Sequence, residues 1–371
     1  MRIGFSARGL SIRSGGARQF IKSLIPALAR QKDRDELFVF YNQETFLGLA
    51  SDCTEYYIKG DNKLLWDFAR FPWAIRKLNL DAVIFPKNII PFFTRSLCFP
   101  VIHDLAYFQP ELKAYLLLDT LYMRAMIPQS VKRASGVFAV SEHTKKDIVH
   151  HTGCDPEKIS VTYEAADEMY RPVTDVNHLK DIRQKYRDLP TQFILYTGSL
   201  SPRKNIATLL KAFSTLLTKI PHDLVLTGSK SWNDAAIHLM MKEPGLAGRI
   251  CQLGYVDAED MPALYSQAAA YVYPSLYEGF GLPVLEAMQC GCPVIASTAT
   301  SIPEVAGKAA LLVDPLDSGA LAEAIHEVLT NNQFKNKLIR MGLDRAKLFS
   351  WDKCANAILK TIRDSVNKST Q

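Results

Sequence analysis

At 371 residues, with 48% apolar and 22% charged side chains, the chain is long enough for two domains with sizeable cores, and wholesale disorder is excluded. The 44 Lys and Arg against 38 Asp and Glu leave a net charge of +6, which suits anionic small molecules or an anionic membrane surface, while no basic stripe with interleaved aromatics points to nucleic acid. Seven scattered cysteines lack zinc-ligand spacing and predict free thiols in a reducing compartment. There is no signal-type apolar core at the start and no apolar run of about 18 residues, so a cytoplasmic protein is expected, soluble or peripheral on the inner face of the membrane.

In chain order, Arg2 to Phe5 reads as a first strand. A loop rich in Gly, Ser and Arg follows (Ala7 to Gly16, with Ile12, Arg13 and Ser14 at its centre), then helical spacing from Ala17 to Ala29 in which Pro26 predicts a kink or restart. This opening is not Gly-x-Gly-x-x-Gly and lacks the Lys-Ser/Thr of a P-loop, so a plain tight turn stays open at this point. Further strands are expected at Leu37–Tyr41, Ala82–Phe85, Phe99–Ile102, Val137–Val140 and Ile159–Thr162. Helices are expected at Trp66–Leu78, at Tyr115–Ser135 with a break at Pro128, and after Ser141, a plausible cap. Strands alternating with helices predict a parallel sheet, whose ligands sit beyond the strand C-termini, where His103 and Asp104 stand. His143, Lys145, Lys146, His150 and His151 form a basic patch that reads first as a solvated face. Asp175 to Pro190 is polar and charged and reads as the connection between halves.

Gln192 to Gly198 restarts the pattern. The loop Ser199–Lys204 precedes a helix from Ile206, with Asn205 as its cap. Arg203 and Lys204 oppose the dipole at that helix N-terminus, a mismatch that a bound di-anion would remove. More strands follow at Leu224–Gly228 and Ile250–Val256, and a short helix at Met261–Ala268. The buried strand Ala270–Tyr273 then leads through Glu278-Gly279-Phe280-Gly281 into a helix opened by Pro283. Glycines there admit a close ligand, and a helix N-terminus favours an anion. Two carboxylates, Glu278 and Glu286, stand eight positions apart in this loop and the expected first turn. Amides for a phosphate beside carboxylates for hydroxyls suit a sugar nucleotide. An acid in a first turn also gains from the dipole without any ligand.

The run Glu278-Gly-Phe-Gly-Leu-Pro-Val-Leu-Glu286-Ala-Met, continued by Gly291-Cys-Pro-Val-Ile-Ala-Ser297 and Pro303-Glu-Val-Ala-Gly307, resembles the Glu-x7-Glu signature of retaining glycosyltransferases of family 4. The resemblance covers nearly the whole chain and implies an α/β fold of the GT-B class, two Rossmann-like domains facing a central cleft. Residues 1–168 would form an acceptor domain, joined by 169–190 to a nucleotide-sugar domain at 191–349, with a last helix at 350–371 packing back on the first. By resemblance Glu278 contacts the donor sugar and Glu286 the ribose, while Gly279, Phe280, Gly281 and Leu282 meet phosphate or sugar. Lys204, with Arg203 substituting for an Arg that many members carry where Ser199 stands, would hold the diphosphate. Gly15 and Gly16 would close over it, His103 would face the donor sugar, and Val256 belongs to the base-binding edge. Where members carry a Pro-Asn-Gly-Val-Asp-like turn, this chain has Tyr163-Glu-Ala-Ala-Asp167.

The implied reaction is transfer of a hexose, mannose favoured, from a nucleotide diphosphate sugar to a hydroxyl of a glycan or lipid-linked acceptor. Retention is expected by same-face attack, with the diphosphate taking the acceptor proton. GDP-mannose is the favoured donor and UDP-glucose the next. No cofactor is expected, and no metal, since the cations supply the counter-charge. The rivals are a GT-B sugar-nucleotide epimerase and a non-catalytic nucleotide-sugar-binding module.

Overall fold

The computed structural model describes residues 1–11, 15–50, 52–60, 62, 65–91, 94, 96–228 and 235–369. Ile12, Arg13 and Ser14 of the first loop, and Thr370 and Gln371 of the expected last helix, lie outside them. The chain divides into two compact units: Met1–Phe108 with Tyr115–Glu164 and Ser350–Gln371, and Gln109–Ala114 with Ala165–Phe349.

The first unit carries strands β1 (Arg2–Ser6), β2 (Glu36–Tyr41), β3 (Thr54–Tyr57), β4 (Ala82–Phe85), β5 (Leu97–Ile102), β6 (Val137–Ala139) and β7 (Ile159–Val161). They form one parallel sheet in the order β3-β2-β1-β4-β5-β6-β7. The order reverses between β1 and β4, so a crevice opens beyond their C-termini. Sheet residues such as Phe5, Phe40, Val83 and Val137 are closed off from solvent, as parallel strands covered on both faces require. The last helix, Trp351–Ser369, lies on the helix Gly16–Gln31 of the same unit, with Arg30 on Asp352 at 2.7 Å and Arg363 on Asp35 at 2.8 Å.

Leu117–Arg133 runs through Pro128 without ending, which corrects the expected break, and Gly16–Gln31 runs through Pro26 without restarting. Buried neighbours, Leu24, Ile25 and Leu28 in one and Ile127 and Val131 in the other, hold each helix against the core and outweigh the lost hydrogen bond. Trp66–Leu78 is a π-turn, Trp66–Arg70, leading into a helix at Phe71–Lys77. Ser141 caps its helix as expected, its Oγ accepting from Thr144 N at 3.0 Å.

In the second unit β8 (Phe193–Thr197), β9 (Asp223–Thr227), β10 (Ile250–Gly254), β11 (Ala270–Tyr273), β12 (Val294–Ser297) and β13 (Ala310–Val313) form a parallel sheet ordered β10-β9-β8-β11-β12-β13. Its reversal lies between β8 and β11, where Tyr271 pairs with Leu195. Residues 169–190, expected as a connection, include a helix at Val176–Lys185 capped by Asp175 and belong to this unit. At the C-termini of β8, β9 and β10, Gly198, Gly228 and Gly254 share positive φ (138°, 132° and 69°). Gly228 presses on the Gly198 carbonyl so closely that a Cβ would overlap it.

Candidate active site

The two loops that flank the reversal point of the second sheet carry the charged residues. After β8, Pro202–Lys204 forms a short 3-10 turn that ends at Asn205, in the left-handed region at φ 58°. Asn205 does not cap the next helix through its side chain. Instead its Nδ2 donates to Pro274 O at 3.0 Å and Pro315 O at 2.6 Å, tying this loop to the ends of β11 and β13. Leu276 N donates to Arg203 O at 2.9 Å and completes the stitching.

Within this frame Glu278 receives both cations. Lys204 Nζ donates to its Oε1 at 2.5 Å, and Arg203 Nη1 donates to its Oε2 at 3.0 Å. Ser275 Oγ also donates to Oε1, and Lys204 reaches Tyr273 OH at 2.6 Å. Lys204 and Glu278 are only 8% and 7% exposed, so the pair is nearly dry. Burial raises the Glu278 pKa, but the adjacent Lys204 and Arg203 outweigh it and hold the carboxyl at about 2. The dipole mismatch at the helix Ile206–Ser214 is therefore relieved inside the protein by Glu278. The two cations still outnumber the one carboxylate, leaving a positive surplus for an anion.

The Glu278 backbone is fixed as well. Its N–H donates to Thr300 Oγ1 at 3.0 Å, and Ser301 Oγ donates to the carbonyls of Glu278 and Phe280 at 3.0 and 2.9 Å. Thr300 sits in the left-handed region at φ 55°, a costly conformation for a β-branched residue and one that tends to mark functional sites. Gly279, Phe280, Gly281 and Leu282 lead from Glu278 into the helix Leu282–Gln289, with Gly281 as N-cap at φ 106°. No side chain caps that end, and the positive pole of the helix there favours an anion.

Glu286 is the fifth residue of this helix, not a member of its first turn, so the dipole does not explain it. It lies half-buried against a tyrosine network. Tyr265 OH donates to its Oε2 at 3.1 Å and lies 3.2 Å from Thr197 Oγ1, which in turn lies 2.9 Å from Tyr271 OH. Burial lifts the Glu286 pKa to about 7, opposed by hydrogen bonds from Tyr265 and Tyr170 and reinforced by Asp167.

The first unit has a cavity of about 240 Å³ at its own reversal point, lined at the end of β1 by Ser6 and beyond it by Arg8 and Gly9, after β4 by Pro86–Ile89, and after β5 by His103 and Asp104. His103 is held from both sides, Nδ1 at 3.0 Å from Glu164 Oε1 and Nε2 at 3.0 Å from Pro86 O. Arg8 Nε donates to Asp67 Oδ1 at 2.8 Å, and the Tyr107 and Tyr115 rings stack at 3.9 Å. Gly15, at φ 119°, is the N-cap of the helix that starts at Gly16, and a Cβ on either would meet no described atom within 4 Å. The carboxylates and aromatic faces of the cavity suit a polyhydroxylated ligand.

Residues 179–345 match the family described as "Glycosyl transferases group 1". Over 298 residues, 79% of this chain and 77% of the relative, the sequence is 34% identical to O-antigen chain mannosyltransferase B of Escherichia coli. The chain belongs to the group 1 glycosyltransferases. Its architecture is GT-B. Sucrose-phosphate synthase of Thermosynechococcus elongatus superposes with a TM-score of 0.77 at 22% identity, covering 100% of both chains. Anabaena HepE, solved with UDP and glucose, also gives 0.77, at 21% identity over 98% of this chain and 100% of its own.

In this mannosyltransferase-like glycosyltransferase the expected residues fall into two groups. Arg203, Lys204, Glu278, Gly279, Phe280, Gly281, Leu282 and Glu286 converge on the reversal point of the second unit. His103, Gly15 and Gly16 belong to the first. Val256 lies just past β10, 7% exposed, beside the more open Tyr255. Sequence reading missed Glu164, whose 4% exposure and contact with His103 come from the turn that departs from the family pattern. It also missed Ser275, Thr300, Ser301 and the tyrosines around Glu286, which only the fold brings to the site. Among the described residues no group of three or more His, Cys, Asp or Glu could hold a metal ion. None of their helices is long and apolar enough to cross a membrane.

Proposed function

We propose that this glycosyltransferase, as a member of family 4, moves mannose with retention from GDP-mannose to a hydroxyl of a lipid-linked glycan, with UDP-glucose as the next donor to test. The observation that carries the reading is the buried Arg203–Glu278–Lys204 cluster beside the uncapped, glycine-led end of Leu282–Gln289. The surplus positive charge and the uncapped helix N-terminus suit a diphosphate that gains charge as the sugar departs. Donors already in place when that charge develops are worth about 10²–10³ each in rate.

A carboxylate gripped by two cations is a poor nucleophile, which supports same-face attack over a covalent intermediate. Glu278 then fixes the cations and presents its remaining Oε2 lone pair to a donor hydroxyl, while the diphosphate oxygen takes the acceptor proton. Glu286 accepts from the ribose hydroxyls, and the two cations stand where a metal would otherwise supply charge. The first-unit cavity is assigned to the acceptor's terminal sugar, with Asp67 and Asp104 receiving its hydroxyls. A polysaccharide built on a lipid carrier as acceptor is supported by the O-antigen name of the Escherichia coli relative.

The test is transfer from labelled GDP-mannose and UDP-glucose to lipid-linked glycan, with and without EDTA, reading the anomeric configuration of the product by NMR. Retained configuration, a preference for GDP-mannose and indifference to EDTA are expected. Inversion removes the mechanism, and product formed without any acceptor removes the transfer reading.

A further inference from the structure

On the first unit, the π-turn Trp66–Arg70 and the helix Phe71–Lys77 bury Trp66, Phe71 and Ile75 in the core. An amphipathic helix would be polar on its other side. This one is not. Leu65, Ala69 and Trp73 recur every four residues along the outer face, and Trp73 is 62% and Leu65 46% exposed. Beside them Tyr57 of the edge strand β3, 40% exposed, helps line an apolar groove with Ile58 and Ala74.

Arg70 and Lys77 line this groove, and Lys77 Nζ lies 3.8 Å from the centre of the Trp73 ring. Lys59 and Arg76, each next in sequence to a lining residue, are exposed as well. The sole carboxylate described between Tyr57 and Leu78 is Asp67, which Arg8 holds at 2.8 Å. An exposed tryptophan among aliphatic side chains, with long basic side chains around it, is the composition of a membrane–water interface.

We propose that this face docks on an anionic lipid bilayer. Trp73, Leu65 and Tyr57 enter the headgroup boundary, and Lys59, Arg70, Arg76 and Lys77 meet lipid phosphates. A second copy of the chain fits less well, because a two-fold contact brings the same four cations against themselves. The docking is independent of the donor and of the reaction assigned above.

The full chain is floated with vesicles of phosphatidylcholine alone and with a third of phosphatidylglycerol, at low salt and at 0.5 M salt. Flotation is expected only with the anionic vesicles and is expected to fall in high salt. Each neutralised cation should cost roughly fivefold in partition, so Arg76→Glu with Lys77→Glu should lose at least about 25-fold. Trp73→Ser should weaken binding at both salt levels. Both variants change exposed side chains, and unchanged melting temperatures would show that they fold. Equal flotation with neutral vesicles, no flotation, or full binding by the charge-reversed variant overturns the proposal. So does sedimentation showing a dimer that Trp73→Ser disperses.

Discussion

Lys204 Nζ and Glu278 Oε1 lie 2.5 Å apart across 74 positions of sequence, and this contact ties the loop after β8 to the loop after β11. Both groups are nearly excluded from water, so neither can lose its partner cheaply. One ion pair thus joins the two loops of the site proposed to hold the diphosphate.

Lys204→Ala should lower kcat about 10²–10³-fold, as loss of one preorganised donor does. Glu278 keeps Arg203 and Ser275 after this change, so circular dichroism should report a folded protein with a reduced melting temperature. Lys204→Arg should not rescue activity, because a planar guanidinium cannot reach both Tyr273 OH and Glu278 from the same buried position. Near-normal turnover in the alanine variant would remove Lys204 from the mechanism.

Glu278 and Glu286 give opposite pH dependences of stability. The folded pKa of Glu278 is depressed to about 2 from an ordinary value of 4.5, so its contribution is present above 4.5 and lost as pH falls through 2. The folded pKa of Glu286 is raised to about 7, so its contribution is complete below 4.5 and lost as pH rises through 7. Each shift amounts to about 3 kcal/mol at most. Glu286→Gln should therefore melt higher than the parent protein at pH 8 and show little gain at pH 5, while donor KM rises. Melting curves at the two pH values check the sign.

Gly228→Ala should be the most damaging glycine change near the strand ends. Its Cβ would overlap the Gly198 backbone, which cannot move without breaking the bond from Gly198 N to Thr227 O. Gly254→Ala also demands positive φ but meets nothing within 4 Å, so it should cost about 1 kcal/mol. Soluble yield and thermal denaturation separate the two.

The alternation of apolar strands with helices was enough to read two parallel sheets, and the glycines around Glu278 marked the loop that carries the site. What stayed hidden depends on packing. The strand Thr54–Tyr57 carries polar residues at a sheet edge and shows no clear apolar run. Pro128 reads as a break, and Pro26 as a kink or restart, because propensity is local, whereas the core contacts that override it are not. Arg203 and Lys204 looked unsatisfied in sequence because Glu278 comes to them from a different loop. Glu164 gave no signal, since its partner His103 is 61 positions away. Glu286 was placed in a first helical turn because the helix begin and Pro283 coincide to within one residue, and only coordinates show the tyrosines beneath it.

Those tyrosines supply the last prediction. In the proposed role Glu286 accepts from the ribose hydroxyls more strongly when ionised, so donor KM should rise as pH falls through its pKa of about 7. The groups around it are Tyr265 from the helix before β11, Tyr271 from β11, Tyr170 and Asp167 from the segment entering the second unit, and Cys290 one turn on. Tyr265 OH donates to the ionised form and holds the pKa down, so Tyr265→Phe should raise it further and move the donor KM profile to higher pH. Well above that pH kcat should be close to the parent value, because Lys204 and Arg203 are untouched. A merely structural role for Tyr265 would lower the melting temperature and leave the midpoint of the KM profile where it was.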